Sequence, residues 1–143
     1  MRTQRRQLGW RVLPLALLVG LAGCGSETLT GPSAVEGGVW KLQTLQRGST
    51  AVVNVVEPDR YTIEFKPDGT LAVKADCNNC SGTYTLSGAT LTVGANMACT
   101  LVACPAASLD SAFLAVLSGA QTHGVTDDVL TITSTAGQMT LKR

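Results

Sequence analysis

Beyond residue 38 the apolar positions come in short runs separated by turn residues, a pattern that fits the strands of an antiparallel sheet. Strands are expected near Val39–Leu45, Tyr61–Phe65, Thr70–Lys74, Gly82–Leu86, Thr90–Val93, Thr122–Val125, Val129–Thr133 and Gln138–Lys142. Tyr61, Ile63 and Phe65 alternate with Thr62 and Glu64, so one face of that strand should be buried. The connections agree. In Lys66-Pro67-Asp68-Gly69 the proline sets φ and the glycine takes the left-handed position, Ser87-Gly88 reads as a tight hairpin, and Asp127-Asp128 and Thr135-Ala136-Gly137 serve the last two turns. Residues 51–58 (AVVNVVEP) fit either an edge strand or a loop ended by Pro58.

One segment has a different period. From Ser108 to Ser118, the residues Leu109, Ala112, Phe113, Val116 and Leu117 follow the spacing of an amphipathic helix. Ser108 is the expected N-cap, Asp110 places negative charge in the first turn, and Gly119 is a suitable stop. One α-helix packed on about eight short strands predicts an α+β fold, mainly antiparallel β, with a small barrel-like sheet.

The start of the chain is patterned differently. Arg2, Arg5, Arg6 and Arg11 precede the apolar run Val12–Leu21, the layout of a secretory signal peptide over residues 1–23. Arg5-Arg6 is followed by Gln7-Leu8-Gly9, a weak twin-arginine pattern, so the general secretory route is expected. Leu21-Ala22-Gly23-Cys24 resembles the lipobox of bacterial lipoproteins. That resemblance implies that Cys24 becomes the acylated N-terminus and that the lipid bilayer is a partner. Each buried methylene contributes about 0.8 kcal/mol, so two or three acyl chains hold a protein on a membrane where one binds reversibly. Gly25 stands where aspartate would be the usual inner-membrane retention signal, which favours an outer-membrane anchor facing the periplasm in a two-membrane bacterium. Residues 24–37, small and polar and interrupted by Gly31-Pro32, read as a lipidated flexible tether leading to a domain over 38–143.

Composition narrows the function. The 143 residues are 45% apolar, 15% charged and 4% aromatic, with net charge +1. Removing residues 1–23 removes four arginines and no acidic residue, leaving 7 basic against 10 acidic residues and a mature net charge of −3. No basic patch remains for nucleic acid or another polyanion.

With Cys24 assigned to lipid, Cys77, Cys80, Cys99 and Cys104 are an even set in an exported chain, and disulfides are the expected state. Of the three pairings, the nested one, Cys77 with Cys104 and Cys80 with Cys99, joins two antiparallel segments; local pairing of Cys77 with Cys80 and Cys99 with Cys104 is the alternative. Four-thiolate zinc binding is disfavoured in an oxidising compartment, so no metal or other cofactor is expected. Cys77-Asn78-Asn79-Cys80 as a thiol-exchange motif lacks the helix N-terminus that activates such a cysteine. The single histidine, His123, reads as a surface strand residue, and no serine lies in a nucleophile-elbow pattern, so no catalytic residue is assigned. Trp40, Tyr61, Phe65, Tyr84 and Phe113 are expected mainly in the core.

From Gly38 onward the order of features resembles the META domain family, which includes the HslJ-like heat-shock lipoproteins. The matching residues are Trp40-x-Leu42, Phe65-x-x-Asp68-Gly69, Cys77-Asn78-x-x-Ser81-Gly82-x-Tyr84, Leu91, Thr100-x-x-Ala103-Cys104, Phe113 and Leu117 in the helix, and Leu130 and Leu141 in the closing strands. In that family the residue before the first of these cysteines is usually glycine; here it is Asp76. Cys80 and Cys99 look like a pair added beside the family-like Cys77 and Cys104, in keeping with nesting. The family has no established reaction and is associated with envelope stress, motility or secretion, and antibiotic tolerance. The resemblance therefore implies a non-enzymatic, membrane-anchored envelope lipoprotein in a binding or stress-related role, with an envelope protein as a further partner. The alternative is a small envelope hydrolase or thiol oxidoreductase. A third reading is an adaptor that docks through an exposed loop at Asn78-Asn79.

Overall fold

The computed structural model describes residues 32–143; the expected signal peptide, Cys24 and the tether to residue 31 lie outside the described residues. In chain order the elements are α1 (Pro32–Val35), β1 (Val39–Arg47), β2 (Val53–Asn54), a 3-10 turn (Pro58–Arg60), β3 (Tyr61–Phe65), β4 (Thr70–Ala75), β5 (Asn78–Ser87), β6 (Thr90–Val93), β7 (Ala98–Cys99), α2 (Asp110–Ser118), β8 (Ala120–Thr126), β9 (Val129–Ser134) and β10 (Gly137–Lys142). Eight strands follow one another as β10-β9-β8-β6-β5-β4-β3-β1, and β1 pairs with β10 to close an antiparallel barrel. β2 adds to the far half of β1, and β7 adds to β5. The ambiguous stretch 51–58 thus divides into an edge strand and a turn begun by Pro58.

Alternation places the inner face. Tyr61, Ile63 and Phe65 are buried, as are Leu130, Ile132 and Ser134 on β9 and Met139 and Leu141 on β10. Trp40, Phe65 and Phe113 are the largest side chains with no solvent contact. Burying each apolar side chain of this size stabilises by about 1.5–3 kcal/mol. Tyr61 meets Phe113 edge to face at 5.8 Å, and Phe65 meets Tyr84 at 4.9 Å. α2 lies against β1, β4, β6, β9 and β10 and inserts Phe113, Val116 and Leu117 into the barrel core.

The turns obey their chemistry. Asp127 and Asp128 both take positive φ, 48° and 60°, as a two-residue hairpin requires. Asp68 Oδ1 accepts hydrogen bonds from the Thr70 N–H at 2.9 Å and the Thr70 hydroxyl at 2.6 Å. The helix begins at Asp110, one residue later than a Ser108 cap predicts, because the capping role is split. Ser108 Oγ accepts the Asp110 N–H at 3.2 Å while Tyr61 Oη accepts the Leu109 N–H at 2.9 Å.

Three expectations need correction. The folded unit starts before residue 38: Val35 is in the core, its carbonyl accepts the Trp40 indole N–H at 2.7 Å, and Glu36 bridges to Phe65. Asn78 and Asn79 form no exposed loop; they open β5 opposite Ala75 and Lys74, and Asn78 is buried. His123 is 5% exposed and no surface residue. It shares the inner face of β8 with Val125, two positions on.

Candidate binding cleft

A cleft of about 270 Å³ opens between the segment Val53–Glu57 and the segment leading into α2. Arg60, Tyr61 and Asp76 form its floor, and Pro105, Ala107 and Ser108 line the second wall. The floor follows from strand register. Tyr61 pairs with Ala75, so the antiparallel ladder carries Arg60 and Asp76 to the next rung, where the Asp76 N–H donates to the Arg60 carbonyl at 2.7 Å.

Asp76 adopts φ 59°, the left-handed conformation that suits glycine. Aspartate is among the few side chains that tolerate it. The position therefore keeps a glycine-type backbone while adding a carboxylate. That carboxylate is 3% exposed, whereas its ion-pair partner Arg60 is 39% exposed and also pairs with Glu57 at 2.9 Å. Asp76 Oδ1 contacts the guanidinium without a directed hydrogen bond, and Oδ2 accepts from the Tyr61 hydroxyl at 3.4 Å. The Ser108 hydroxyl, then the Arg60 guanidinium and Tyr61, hold the Asp76 carboxyl below the usual carboxylate range, against the opposing effect of burial. Any ligand in the cleft meets the outer edge of Arg60, since the carboxylate is already enclosed.

The lips are apolar. Val56 is 93% exposed, and Val52 and Val53 are exposed beside it. Across the same end of the barrel, Leu101 is 96% exposed and Val102 is also exposed. Leu101 and Val102 lie in a segment braced from both sides: the Sγ atoms of Cys77 and Cys104 are bonded at 1.93 Å, and those of Cys80 and Cys99 at 2.02 Å. Cys80 and Cys99 are register partners between β5 and β7. The described cysteines are thus joined across segments, in the nested order, and Cys77 is not bonded to Cys80. A Cys77-x-x-Cys80 dithiol is accordingly absent.

The cleft and Glu36 lie at opposite ends of β3. Glu36 bridges Phe65 at the end of that strand, while Tyr61 at its start belongs to the cleft. At the Glu36 end, burial and the Glu36 carboxylate push the Tyr84 phenol up to about 12, and its hydroxyl donates to the Lys66 carbonyl at 2.7 Å. Arg143 stacks on Trp40 at 4.8 Å from the ring centroid.

Ser108 and Asp76 share the cleft, but His123 lies inside the barrel and neither ring nitrogen has a partner. Among the described residues no group of three or more His, Cys, Asp or Glu is placed to hold a metal ion, and no helix is long and apolar enough to cross a membrane.

The META domain family model matches residues 33–143. The chain belongs to the META domain family. The match begins at Ser33, in agreement with a folded unit that reaches back to Val35. No protein of curated function matches this META domain in sequence. Its fold is similar to that of a protein from Burkholderia xenovorans solved by NMR, with TM-score 0.64 and 19% identity over 78% of this chain and 84% of that one. A second NMR structure is similar with TM-score 0.60 and 24% identity, covering 80% and 95% of the two chains. A crystal structure of a DUF4847 family protein from Bacteroides vulgatus gives TM-score 0.54 and 14% identity, over 76% and 93%. At these identities the likeness concerns the fold.

The cleft residues Arg60, Tyr61, Asp76 and Ser108 escape the sequence reading. One signal pointed to them: aspartate at the position where the META family usually has glycine. A position that needs positive φ and carries a carboxylate has that side chain for a local reason.

Proposed function

We propose that this META domain is a non-enzymatic binding module, lipid-anchored through Cys24 in the bacterial cell envelope, whose apolar-lipped cleft receives an exposed apolar side chain of an envelope protein. The single observation that carries the binding role is the exposed valine lip, Val53 and Val56, beside a floor whose charges are already paired. Contiguous exposed apolar surface rimmed by polar groups marks interaction sites. The Leu21-Ala22-Gly23-Cys24 sequence and a pair of disulfides support an exported, anchored chain.

The anchor is tested with globomycin, an inhibitor of lipoprotein signal peptidase. A precursor should accumulate, and Cys24→Ala should leave the membrane fraction; a variant that stays membrane-bound would remove the anchor. For the cleft, site-specific crosslinking from Val56 in the intact envelope should capture a defined protein that Ala107→Arg excludes. Equal capture by both would sink the cleft as the binding surface. The hydrolase or thiol oxidoreductase alternative predicts insulin reduction or ester turnover that disappears in Cys77→Ser or His123→Ala.

A further inference from the structure

The barrel has one thin seam. Neighbouring strands elsewhere around it pair at three to six positions, but β6 and β8 pair only at Thr90 with Thr122. A second tie comes from His123 itself, whose backbone N–H donates to the Ala89 carbonyl at 2.8 Å. The imidazole of the same residue is buried on the inner face of β8, with no hydrogen-bond partner at Nδ1 or Nε2.

Its surroundings offer a proton no charged partner. β5, β6, β8 and β9 contain no Asp, Glu, Lys or Arg. Facing it from β9 is its register partner Ile132, and the buried residues of β6 are Leu91 and Val93. α2 buries only Ala112, Phe113, Val116 and Leu117, with its one charge, Asp110, in the first turn beside Ser108. On the strand's own side, Asp127 and Asp128 are exposed in the turn after β8, and Asp128 is paired with Arg143. Burial pushes the His123 imidazole below the ordinary histidine value, opposed only by the Ala89 carbonyl.

We propose that His123 is an acid-sensitive latch: adding a proton to the buried imidazole opens the β6–β8 seam locally and frees two strand edges, while the disulfide-braced side of the barrel stays folded. A neutral imidazole lacking partners is already unfavourable in the core, and a second N–H with a full charge is far more so. The sign follows from linkage. A histidine whose folded value is depressed binds its proton more readily when exposed, so the seam is fully closed above about pH 6.5 and loosens as pH falls toward the folded value. The inference stands apart from the cleft and the anchor, since it uses neither.

Amide hydrogen exchange of the full-length protein in detergent, corrected for intrinsic rates and compared between about pH 7 and about pH 5, tests it. Protection over 86–93 and 120–126 should fall, by up to about tenfold per pH unit below about 6.5, while β3 and β4 keep theirs. In His123→Leu the seam should show no such dependence. Loss spread evenly over all strands, no loss at the seam, or a loss retained in His123→Leu would overturn the latch. If His123→Leu does not fold, NMR titration of the single histidine substitutes for it. A midpoint below about 6.5 that tracks shifts at Thr90 and Thr122 is the expected result, and a midpoint at or above 6.5 overturns it.

Discussion

The Asn78 side chain grips the backbone of Val102 as a neighbouring strand would. Its Oδ1 accepts the Val102 N–H at 2.8 Å and its Nδ2 donates to the Val102 carbonyl at 3.0 Å. The same Oδ1 accepts from the Thr100 hydroxyl at 3.0 Å, and the Asn79 N–H donates to that hydroxyl at 3.0 Å. An asparagine amide therefore replaces a strand where the chain has none, and holds the exposed Leu101-Val102 tip in place.

Asn78→Ala should cost about 1–3 kcal/mol in denaturant unfolding, because it removes the part-buried hydrogen bonds that the buried Asn78 amide makes to Val102 and Thr100. Asn78→Asp should fall between, since it keeps the acceptor and loses the donor. A loss within 0.3 kcal/mol for the alanine variant would show that the grip contributes little.

The disulfides join residues 27 and 19 positions apart. Loops of that size stabilise by roughly 3 kcal/mol each. Peptide mapping of the non-reduced protein should recover Cys77 linked to Cys104 and Cys80 linked to Cys99, and the double variant Cys80→Ser/Cys99→Ser should unfold at markedly lower denaturant. A peptide linking Cys77 to Cys80 would contradict the structure.

Asp76 predicts a second, more acidic transition, distinct from that of His123. Its carboxyl is held below the ordinary aspartate value of about 3.9, so its contribution is complete above that pH and is lost as pH falls through the folded value. Asp76→Asn should flatten the stability profile below about pH 4 and cost about 1–3 kcal/mol at neutral pH, a range reduced by the exposure of Arg60. A profile unchanged from the parent would show that other carboxylates control acid unfolding.

Gly137 on β10 pairs with Arg47 on β1. A Cβ added there would sit 1.9 Å from the Gln46 carbonyl oxygen, at a backbone φ of 146°. Gly137→Ala should displace the β1–β10 seam and destabilise by more than about 3 kcal/mol, whereas Gly88→Ala, with φ 57° and open space, should lose about 1 kcal/mol. Thermal unfolding of the two variants separates a clash from a purely conformational penalty. Equal losses would remove the clash.

Several features could be read along the chain because they are local. Alternation at Tyr61–Phe65, the helical spacing around Phe113 and the turn chemistry of Asp127-Asp128 each depend on residues a few positions apart. His123 was legible by the same rule: it stands two positions from Val125, so the pleat puts both on one face. Its polar character led to a surface reading, which the burial of His123 beside Val125 overturns. The early start of the folded unit at Val35 was harder to see, since four residues of helix carry no period.

The chain order alone accounts for strands, helix, turns, the expected address at Cys24 and the family, because periodicity and motif spacing are properties of contiguous residues. The cleft, the Asn78 grip and the seam at His123 come from three-dimensional register. Tyr61 and Asp76 are 15 residues apart, and Tyr61 and Leu109 are 48 apart. Such pairs meet because antiparallel pairing brings the start of β3 beside the end of β4 and because the barrel core admits Phe113 in one place. Alternation says which face of a strand is buried; closure of the barrel selects the neighbour that face meets.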